Sequence, residues 1–405
     1  MGSIVFCVEL DTPAGIFLEE FFMSKNILRR KVIMAKMYQK KLFIKDLLRT
    51  EMLQKEIKEI FYLSKSIATV TNGSKSLSLR FIDRDGDIAG RMWQETIKNE
   101  YIGLENVYVF VTANVGMYEG IPTLYVTMME PIPKDFQLDV SEFAKTLHGI
   151  NELYEEFIKT YKEEIKKPHC VALLDKFYLE PAFAKRFKET QGGKAIHHVV
   201  RGGYVQHTYS VFEYCIEESS TPQENELRSI RRLIKKGVLP ANTNLDQIKE
   251  EINRKEYLLT KEPFHENFDR DILLTAAALQ DLGMVKEYKP LPANQRTDEG
   301  IMLGHVALTL LMVNTAMKDI EGFTKVEELK LLHCLLTAHN GSEDGQIIDK
   351  LLPPMCVEAQ ILSQYDEHDA RRDSFNGIIK SEIQSNSNTT MTKYYQNYYR
   401  SFYKK

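Results

Sequence analysis

Cysteine is scarce in this chain, with five in 405 residues and no C-x-x-C pair. Such spacing excludes a dense disulfide framework and provides no paired thiolates for a structural zinc ion. We therefore expect a protein of the reduced cytoplasm. The five cysteines are Cys7, Cys170, Cys215, Cys334 and Cys356.

An excess of charge and a long apolar run are also missing. The formal net charge is −4, from 53 basic and 57 acidic side chains, which excludes a strongly basic protein but not a local basic groove. No apolar run approaches the ~20 residues of a transmembrane helix. No basic segment followed by an apolar one marks a secretory signal. We expect no membrane partner.

Length and composition predict two or three globular domains. Hydrophobic residues make up 43% and charged residues 27% of the chain, as in ordinary soluble proteins. We treat residues 1–40 as an N-terminal extension with two open interpretations. Either it forms an extra helix packed on the body, or translation starts further on, at Met23, Met34 or Met37.

Residues 41–137 are rich in β-branched and aromatic runs, separated by turn signals such as Asp83-Arg84-Asp85-Gly86. Five runs predict strands, at 61–70, 76–82, 88–93, 107–113 and 123–128. Five short strands in succession predict a small β-barrel. The segment 95–101 lies where the oligonucleotide/oligosaccharide-binding (OB) fold has its helix. We therefore predict an OB-like nucleic-acid-binding barrel, with another small barrel as the alternative.

A helical domain is predicted after Pro131 and Pro133, over residues 138–405. Apolar residues there recur at spacings of three and four from Phe143 to Tyr161, which is typical of an amphipathic helix. Residues 219–265 are unusually polar and are predicted to be an insertion, whose basic cluster is either a solvated helix face or a nucleic-acid contact. The predicted fold class is α+β multidomain, a five-stranded barrel followed by an all-α domain.

The densest group of chemically active side chains lies at residues 192–207. Three of the ten histidines, His197, His198 and His207, occur there beside two glycine pairs and Lys194. Four shorter motifs follow, Gln280-Asp281-Leu282-Gly283, Gly304-His305, Ala338-His339-Asn340-Gly341 and Tyr365-Asp366-Glu367-His368-Asp369. Histidine at neutral pH is a metal ligand and a proton carrier. These segments are therefore candidates for a single metal centre.

Such a set of residues suits phosphodiester hydrolysis. The reaction needs an activated water and neutralisation of phosphate charge, which one or two divalent ions provide. Imidazole and carboxylate ligands suit first-row metals, so we predict Mn²⁺, with Mg²⁺ or Fe²⁺ as alternatives. The predicted metal ligands are His207, Asp281, His305, His339 and Asp366.

From about Phe61 onward the sequence resembles the YhaM family of 3′-to-5′ exoribonucleases, which join an OB-fold to an HD metal-phosphohydrolase domain. The resemblance rests on the segments 194–209, 280–284, 302–305, 338–341, 358–370 and 400–404. It implies a metal-dependent exonuclease acting on single-stranded nucleic acid, with RNA favoured over DNA. A homo-oligomer is left open. The predicted catalytic residues are Asp281, His305, His197 and His198.

Three positions depart from the family pattern. Gln280 replaces the metal-binding histidine, Met284 a lysine expected to meet substrate phosphate, and Asn340 a second histidine. Cys334 falls where another histidine is usual, beside His333. An amide oxygen binds first-row metals more weakly than imidazole. The alternative function is therefore a catalytically impaired nucleic-acid-binding regulator or scaffold, and a third reading, hydrolysis of a small nucleotide, leaves the barrel unexplained.

Substrate contacts are predicted in both domains. Lys194 and Arg201 are the cations nearest the histidine cluster, and His197 and His198 either touch the scissile phosphate or cap the helix that carries His207. A single strand needs aromatic platforms and a basic track on the barrel. The barrel candidates are Phe81, Trp93, Tyr108, Tyr118 and Tyr125, with Lys65, Lys75, Arg80 and Arg91. Of these, Arg80, Arg91 and Tyr118 are predicted substrate contacts, whereas the single tryptophan, Trp93, is expected in the core.

Overall fold

A computed structural model describes residues 38–71, 74–133, 135–193, 198–254, 264–339, 352–384, 390–392 and 402–403. It confirms the predicted fold class, because a closed five-stranded barrel precedes a helical region. Both interpretations of the first residues, up to 37, lie outside the described residues. The same holds for the predictions on Lys194, His197 and Asn340.

The five predicted strands are present, and each is longer than its apolar run. They are β1 Glu56–Thr71, β2 Ser74–Asp83, β3 Gly86–Trp93, β4 Val107–Tyr118 and β5 Ile121–Pro131. The barrel closes in the order β1-β2-β3-β5-β4, with β3 and β5 parallel. Alternate residues fill the interior, as in Leu77, Leu79 and Phe81 of β2. This five-stranded closed barrel fits the OB-fold.

The prediction of a helix at residues 95–101 is wrong. Two single 3₁₀ turns, Gln94–Thr96 and Asn99–Tyr101, occupy the connection between β3 and β4. Ile97, Tyr101 and Leu104 still pack on the barrel core, and the Ser66 hydroxyl donates to the Tyr101 carbonyl over 2.5 Å. Because these short turns already bring the three apolar side chains to the core, a full helix is not required.

Packing of the barrel begins before residue 41. The side chain of Lys40 is fully buried, donates to the Ile60 carbonyl over 2.6 Å, and lies 3.6 Å from the centre of the Phe61 ring. Its backbone N–H donates to Glu142, which follows the barrel. Burial lowers the pKa of Lys40 to about 8. The segments on either side of the barrel are thus joined, while the predicted domain boundaries stay predictions.

The helical domain has one large apolar core with a single helix at its centre. A short helix, α1 Ile44–Leu47, lies on the barrel. The remaining described helices are α2 Ile150–Glu164, α3 Pro168–Tyr178, α4 Pro181–Glu189, α5 Gly203–Ser219, α6 Pro222–Lys235, α7 Leu245–Asn253, α8 Arg270–Leu279, α9 Met284–Glu287, α10 Asp298–Met317, α11 Lys325–Thr337 and α12 Val357–Gln384. Every residue of α8 after Arg270 is buried. Since α3, α5, α11 and α12 pack around α8, the residues that follow α8 enter a protected environment.

Within the described residues, α10 is long and apolar enough, by length and composition alone, to cross a membrane. Its mean hydropathy reaches 1.6 over the best window, of which 44% is buried. The helix packs against α9 and α11 and is interrupted at Gly304. It therefore forms part of the helical domain that carries the histidine motifs.

The barrel and the helical domain touch next to the start of α5. The Arg201 N–H donates to the Lys145 carbonyl over 2.8 Å, and the Leu147 N–H donates to the Arg201 carbonyl over 3.0 Å. Ala293 of the helical domain packs in an apolar cluster with barrel residues. The connection after the barrel is therefore paired with the backbone that leads into the predicted metal centre.

Candidate metal centre

Two glycines let the chain fold closely over the start of α5. Gly202 has a left-handed backbone with φ of 85°, and a Cβ on Gly203 would lie 2.0 Å from the His198 carbonyl oxygen. The loop that carries His198 therefore lies directly on the first turn of α5. His207 follows one turn later, with its side chain 1% exposed.

Glycine also sets the approach of α8 to α10. A Cβ on Gly283 would lie 2.2 Å from the His305 carbonyl oxygen, so the turn after α8 can lie against α10 only without a side chain. Gly304 interrupts α10 with φ of 70° and ψ of 165°. This break directs His305 towards Asp281, which lies two residues past the end of α8.

The structure brings the five predicted metal ligands together. Asp281 is the shared member: its Oδ2 lies 3.3 Å from His207 Nε2, and its Oδ1 lies 3.2 Å from His339 Nε2. His305 Nε2 lies 3.7 Å from the same Oδ1. Asp366 connects the two sides, with Oδ1 3.0 Å from His207 Nε2 and Oδ2 2.9 Å from His339 Nδ1.

Two overlapping groups of donor atoms therefore have the dimensions of a metal site. His207, Asp281 and Asp366 form one, which we call the Gln280 half because Gln280 adjoins it. Asp281, His305 and His339 form the other, the His305 half. In each group the donor atoms lie within 4.8 Å of one another. A third group of this size, His198, His207 and Asp369, lies behind the Gln280 half.

Two carboxylates that sequence reasoning did not assign to the site orient its imidazoles. Asp369 Oδ2 lies 2.8 Å from His207 Nδ1, and Glu287 Oε2 lies 2.7 Å from His305 Nδ1. Because a carboxylate only accepts hydrogen bonds, both Nδ1 atoms carry the proton. This arrangement turns the Nε2 atom of each ring towards Asp281, as carboxylates do behind metal-bound histidines.

The cluster is strongly polarised. Burial opposes charge, but hydrogen bonds to Asp281, Asp366 and Asp369 raise the pKa of His207 well above its usual value. Against the same burial, Asp366 and Asp281 raise the pKa of His339. The charge of His339 and the hydrogen bond from His207 lower the pKa of Asp366 to about 2, again against burial. In the metal-free protein the imidazoles hold protons that a metal ion would displace.

Gln280 takes part in the cluster rather than lying beside it. Its side chain is fully buried, Nε2 donates to Asp366 Oδ1 over 3.1 Å, and the same nitrogen lies 3.4 Å from His207 Nε2. Within the described part of the chain, Gln280 Oε1 has no hydrogen-bond partner. Gln280 therefore adds a hydrogen-bond donor that faces the Asp366 carboxylate.

Met284 and Cys334, two further departures from the family pattern, belong to the apolar core rather than to the cluster. Met284 is 4% exposed and belongs to the apolar core. Cys334 is also in that core. His333 does not take its place, because His333 Nε2 accepts a hydrogen bond from the Met355 N–H over 2.8 Å.

Two predicted substrate residues near α5 are already engaged with the protein. His198 is 5% exposed, and its Nε2 lies 2.8 Å from Asp369 Oδ2, the oxygen that also meets His207. The guanidinium of Arg201 donates to Glu189 over 3.0 Å. Both residues lie around the start of α5 and hold its surroundings together, and a contact with substrate stays a prediction.

The barrel candidates divide between core and surface. Phe81 is fully buried, whereas Trp93 is 44% exposed, so the expectation that Trp93 lies in the core is wrong. Met92 points inward, and the alternation of the strand directs Trp93 outward. Arg91 lies 3.8 Å from the centre of the Tyr118 ring, and Arg80 pairs with Asp87 over 2.6 Å.

The described residues thus combine a barrel with a helical domain that encloses a histidine–aspartate cluster, and the chain is similar to known sequences. The 3′-5′ exoribonuclease YhaM of Bacillus velezensis is 23% identical over 318 residues, 78% of this chain and 85% of that protein. YhaM of Halalkalibacterium halodurans is 23% identical over 351 residues, 86% of this chain and 93% of that protein. The chain is thus similar, at about 23% identity, to proteins named YhaM 3′-5′ exoribonuclease, and the resemblance stated from the sequence is confirmed.

Other comparisons add little. No protein-family model matches the chain. Among solved structures, asparaginyl-tRNA synthetase from Pyrococcus horikoshii aligns over 35% of this chain and 35% of its own, with 15% identity and a TM-score of 0.19. A TM-score this low supports no argument about the fold.

Proposed function

We propose that this protein is a metal-dependent HD-domain phosphodiesterase that shortens single-stranded RNA from its 3′ end. The observation that carries the proposal is the position of Asp281, whose two carboxylate oxygens face two separate groups of imidazole and carboxylate donors. The distant YhaM relatives, named 3′-5′ exoribonucleases, support the reaction and its direction. A cytoplasmic location and a homo-oligomer stay predictions.

The donor set fits a divalent first-row ion. Each group combines imidazole nitrogen with carboxylate oxygen, whereas Mg²⁺ favours oxygen ligands and retains several waters. We therefore propose Mn²⁺, held by Asp281, His305 and His339, with His207 and Asp366 available for a second ion. When bound, such an ion activates water and neutralises charge on the phosphate.

The chain's own residues prepare this chemistry. Asp369 and Glu287 fix the tautomers of His207 and His305, so that no reorientation of these rings is needed when a ligand arrives. The side chain of His305 is 22% exposed and that of His339 is 11% exposed, against 1% for His207. We therefore place the scissile phosphate against the His305 half.

The outer face of the barrel is proposed to hold the strand. Trp93 projects from β3, and two residues earlier Arg91 pairs across the sheet with Ser78 on one side and Tyr125 on the other. Directly paired residues point to the same face of a sheet. This face therefore combines aromatic rings with a cation, the chemistry that binds single strands by stacking and charge.

A second function is favoured by Gln280. Its amide donates to Asp366 and so occupies an acceptor that a metal ion would use. A protein whose Gln280 half binds no metal could retain RNA binding without turnover. The second candidate is therefore a nucleic-acid-binding regulator with an inactive cluster.

Shortening of a 5′-labelled single-stranded RNA with Mn²⁺ separates the two functions. We expect a ladder that grows from the 3′ end for the parent protein, and none for Asp281→Asn. The exposed Asp246→Asn in α7 is the matched control and should behave as the parent. Binding without shortening by the parent would contradict the nuclease proposal and support the regulator, and shortening by Asp281→Asn would remove Asp281 from the mechanism.

A further inference from the structure

Two cysteine thiols meet between helices that carry residues of the metal centre. Cys334 lies in α11 and is fully buried, whereas Cys356 is partly exposed and immediately precedes α12. The two thiols are near enough for each to shift the pKa of the other. Both are free cysteines, and Cys356 packs against the core cluster that contains Cys334.

Neighbouring contacts fix the two cysteines opposite each other. The residues just before them are joined, because the Met355 N–H donates to His333 Nε2 over 2.8 Å. Two residues after Cys356, Glu358 accepts from Lys330 Nζ of α11 over 2.7 Å. The approach of the two thiols is therefore set by the packing of α11 on the start of α12 and does not depend on a flexible side chain.

The two thiols differ in reactivity. The hydrogen bond from Cys334, together with one from the Ala359 N–H in the first turn of α12, lowers the pKa of Cys356 despite its partial burial. The hydrogen bond with Cys356, with burial second, raises the pKa of Cys334. An accessible thiol that ionises readily beside a buried thiol is the arrangement of a redox-sensitive pair.

We propose that Cys334 and Cys356 form a reversible disulfide when the protein meets hydrogen peroxide. The Cys356 thiol loses its proton, and its thiolate attacks one peroxide oxygen and breaks the O–O bond. The products are a sulfenic acid on Cys356 and a hydroxide, which takes up that proton to give water. The Cys334 sulfur then attacks the Cys356 sulfur and loses its proton, and the sulfenic hydroxyl leaves as a second water. Two thiols and one peroxide thus give one disulfide and two waters, and a thiol reductant reverses the step.

The disulfide would join the helix that leads to His339 to the helix that carries Asp366. His339 follows α11 by two residues, and its Nδ1 lies 2.9 Å from Asp366 Oδ2 of α12. Sulfurs in a disulfide lie ~2.05 Å apart, closer than two hydrogen-bonded thiols, so oxidation draws α11 towards the start of α12. We expect oxidised protein to bind Mn²⁺ more weakly, and this expectation rests on the proposed function.

Mass spectrometry tests the pair directly. The full-length protein is reduced, treated with a few equivalents of hydrogen peroxide, alkylated under denaturing conditions and digested without reductant. We expect a peptide that links residues 334 and 356, reversed by dithiothreitol, and its loss in Cys334→Ser and in Cys356→Ser. Cys334→Ser should leave a sulfenic acid on Cys356 that a 1,3-diketone probe traps. Cys170→Ser and Cys215→Ser, at two buried thiols, should still form the link.

Several results would overturn the proposal. These are the absence of the linked peptide, a link between other cysteines, or trapping of Cys334 rather than Cys356. A Mn²⁺ titration of the oxidised and reduced forms tests the consequence separately. If the disulfide forms and the affinity for Mn²⁺ is unchanged, the effect on the metal centre is wrong. If neither form binds Mn²⁺, the proposed function fails while the modification site stands.

Discussion

The two halves of the candidate metal centre share Asp281 but differ in exposure and in hydrogen bonding. In the Gln280 half, His207 and Asp366 are 1% and 7% exposed, and the amide of Gln280 supplies a hydrogen bond to Asp366. In the His305 half, His305 and His339 are 22% and 11% exposed and direct their Nε2 atoms at one carboxylate oxygen. The Gln280 half is therefore closed to solvent and carries a hydrogen bond from an amide, whereas the His305 half is more open.

This difference indicates what the unusual residues change. Gln280, where the resemblance implies an imidazole, adjoins the closed half, and Met284 lies in the apolar core. The open half retains both of its imidazoles and Glu287 behind one of them. We therefore expect the first metal ion at the His305 half, with the Gln280 half binding a second ion weakly.

The largest effect should come from the open half. His339→Ala removes a ligand from the His305 half, so we expect Mn²⁺ affinity and RNA shortening to fall by more than roughly 100-fold, about 2.7 kcal/mol. Gln280→Ala should lower the Mn²⁺ affinity and the rate of RNA shortening by less than about tenfold. Calorimetric Mn²⁺ titrations and single-turnover rates measure both. A larger loss in Gln280→Ala than in His339→Ala would reverse the comparison.

Changes to the orienting carboxylates should be intermediate. Removing such a partner typically costs about 10- to 100-fold in metal affinity or activity. We expect the loss in Glu287→Gln to be near the upper end of this range and the loss in Asp369→Asn near its lower end. The reason is that Glu287 supports the open half. Mn²⁺ affinity and the pH profile of the rate distinguish an orienting role from a structural one. Equal effects of the two variants would show that the halves work as a unit.

Gln280→His should convert the closed half into a stronger metal site. Imidazole is the better donor for Mn²⁺, so we expect a second ion to bind, with a gain in rate of no more than about tenfold, or about 1.4 kcal/mol. Gln280→Glu is an isosteric control that supplies a carboxylate oxygen in place of the amide. Electron paramagnetic resonance of bound Mn²⁺ counts the ions. An unchanged count in both variants would place the weakness of this half elsewhere.

A separate effect concerns the dependence of stability on pH. Because His207 and His339 have raised pKa values in the folded protein, their contribution to stability is complete below about pH 6.5, the unfolded value. It is lost as the pH rises through their folded values, by at most about 1.4 kcal/mol per pH unit and per histidine. In EDTA, the melting temperature should fall as the pH rises above 6.5. The increase in melting temperature that Mn²⁺ produces should become larger over the same pH range. A melting temperature that rises with pH in EDTA would contradict the assignment.

The sequence predicts the candidate metal ligands of this site better than the carboxylates that orient them. His207, Asp281, His305, His339 and Asp366 lie in recognisable local motifs, and separate helices carry them to one place. Glu287 has no local signature, since it is one of 57 acidic residues and meets His305 only through the break at Gly304. Asp369 could have been found from the sequence, because it lies three residues after Asp366 and therefore on the same helix face.

In the barrel, alternation decides what can be predicted. The strands and their core residues follow from the period of two, which also directs Trp93 outward once Met92 is placed inside. The expected helix at 95–101 failed for a different reason. Three apolar side chains at that connection already reach the core from single 3₁₀ turns, and such tertiary contacts are not visible in a local pattern.

Binding of Mn²⁺ to the parent protein and to Asp281→Asn tests the central claim most directly. Among the described donors, Asp281 is the residue that belongs to both halves, so its amide variant should lose every tightly bound ion while keeping its helical fold by circular dichroism. We predict saturable binding of at least one Mn²⁺ to the parent and none to Asp281→Asn. Equal binding by the two proteins, or none by the parent, would contradict a metal centre built around Asp281.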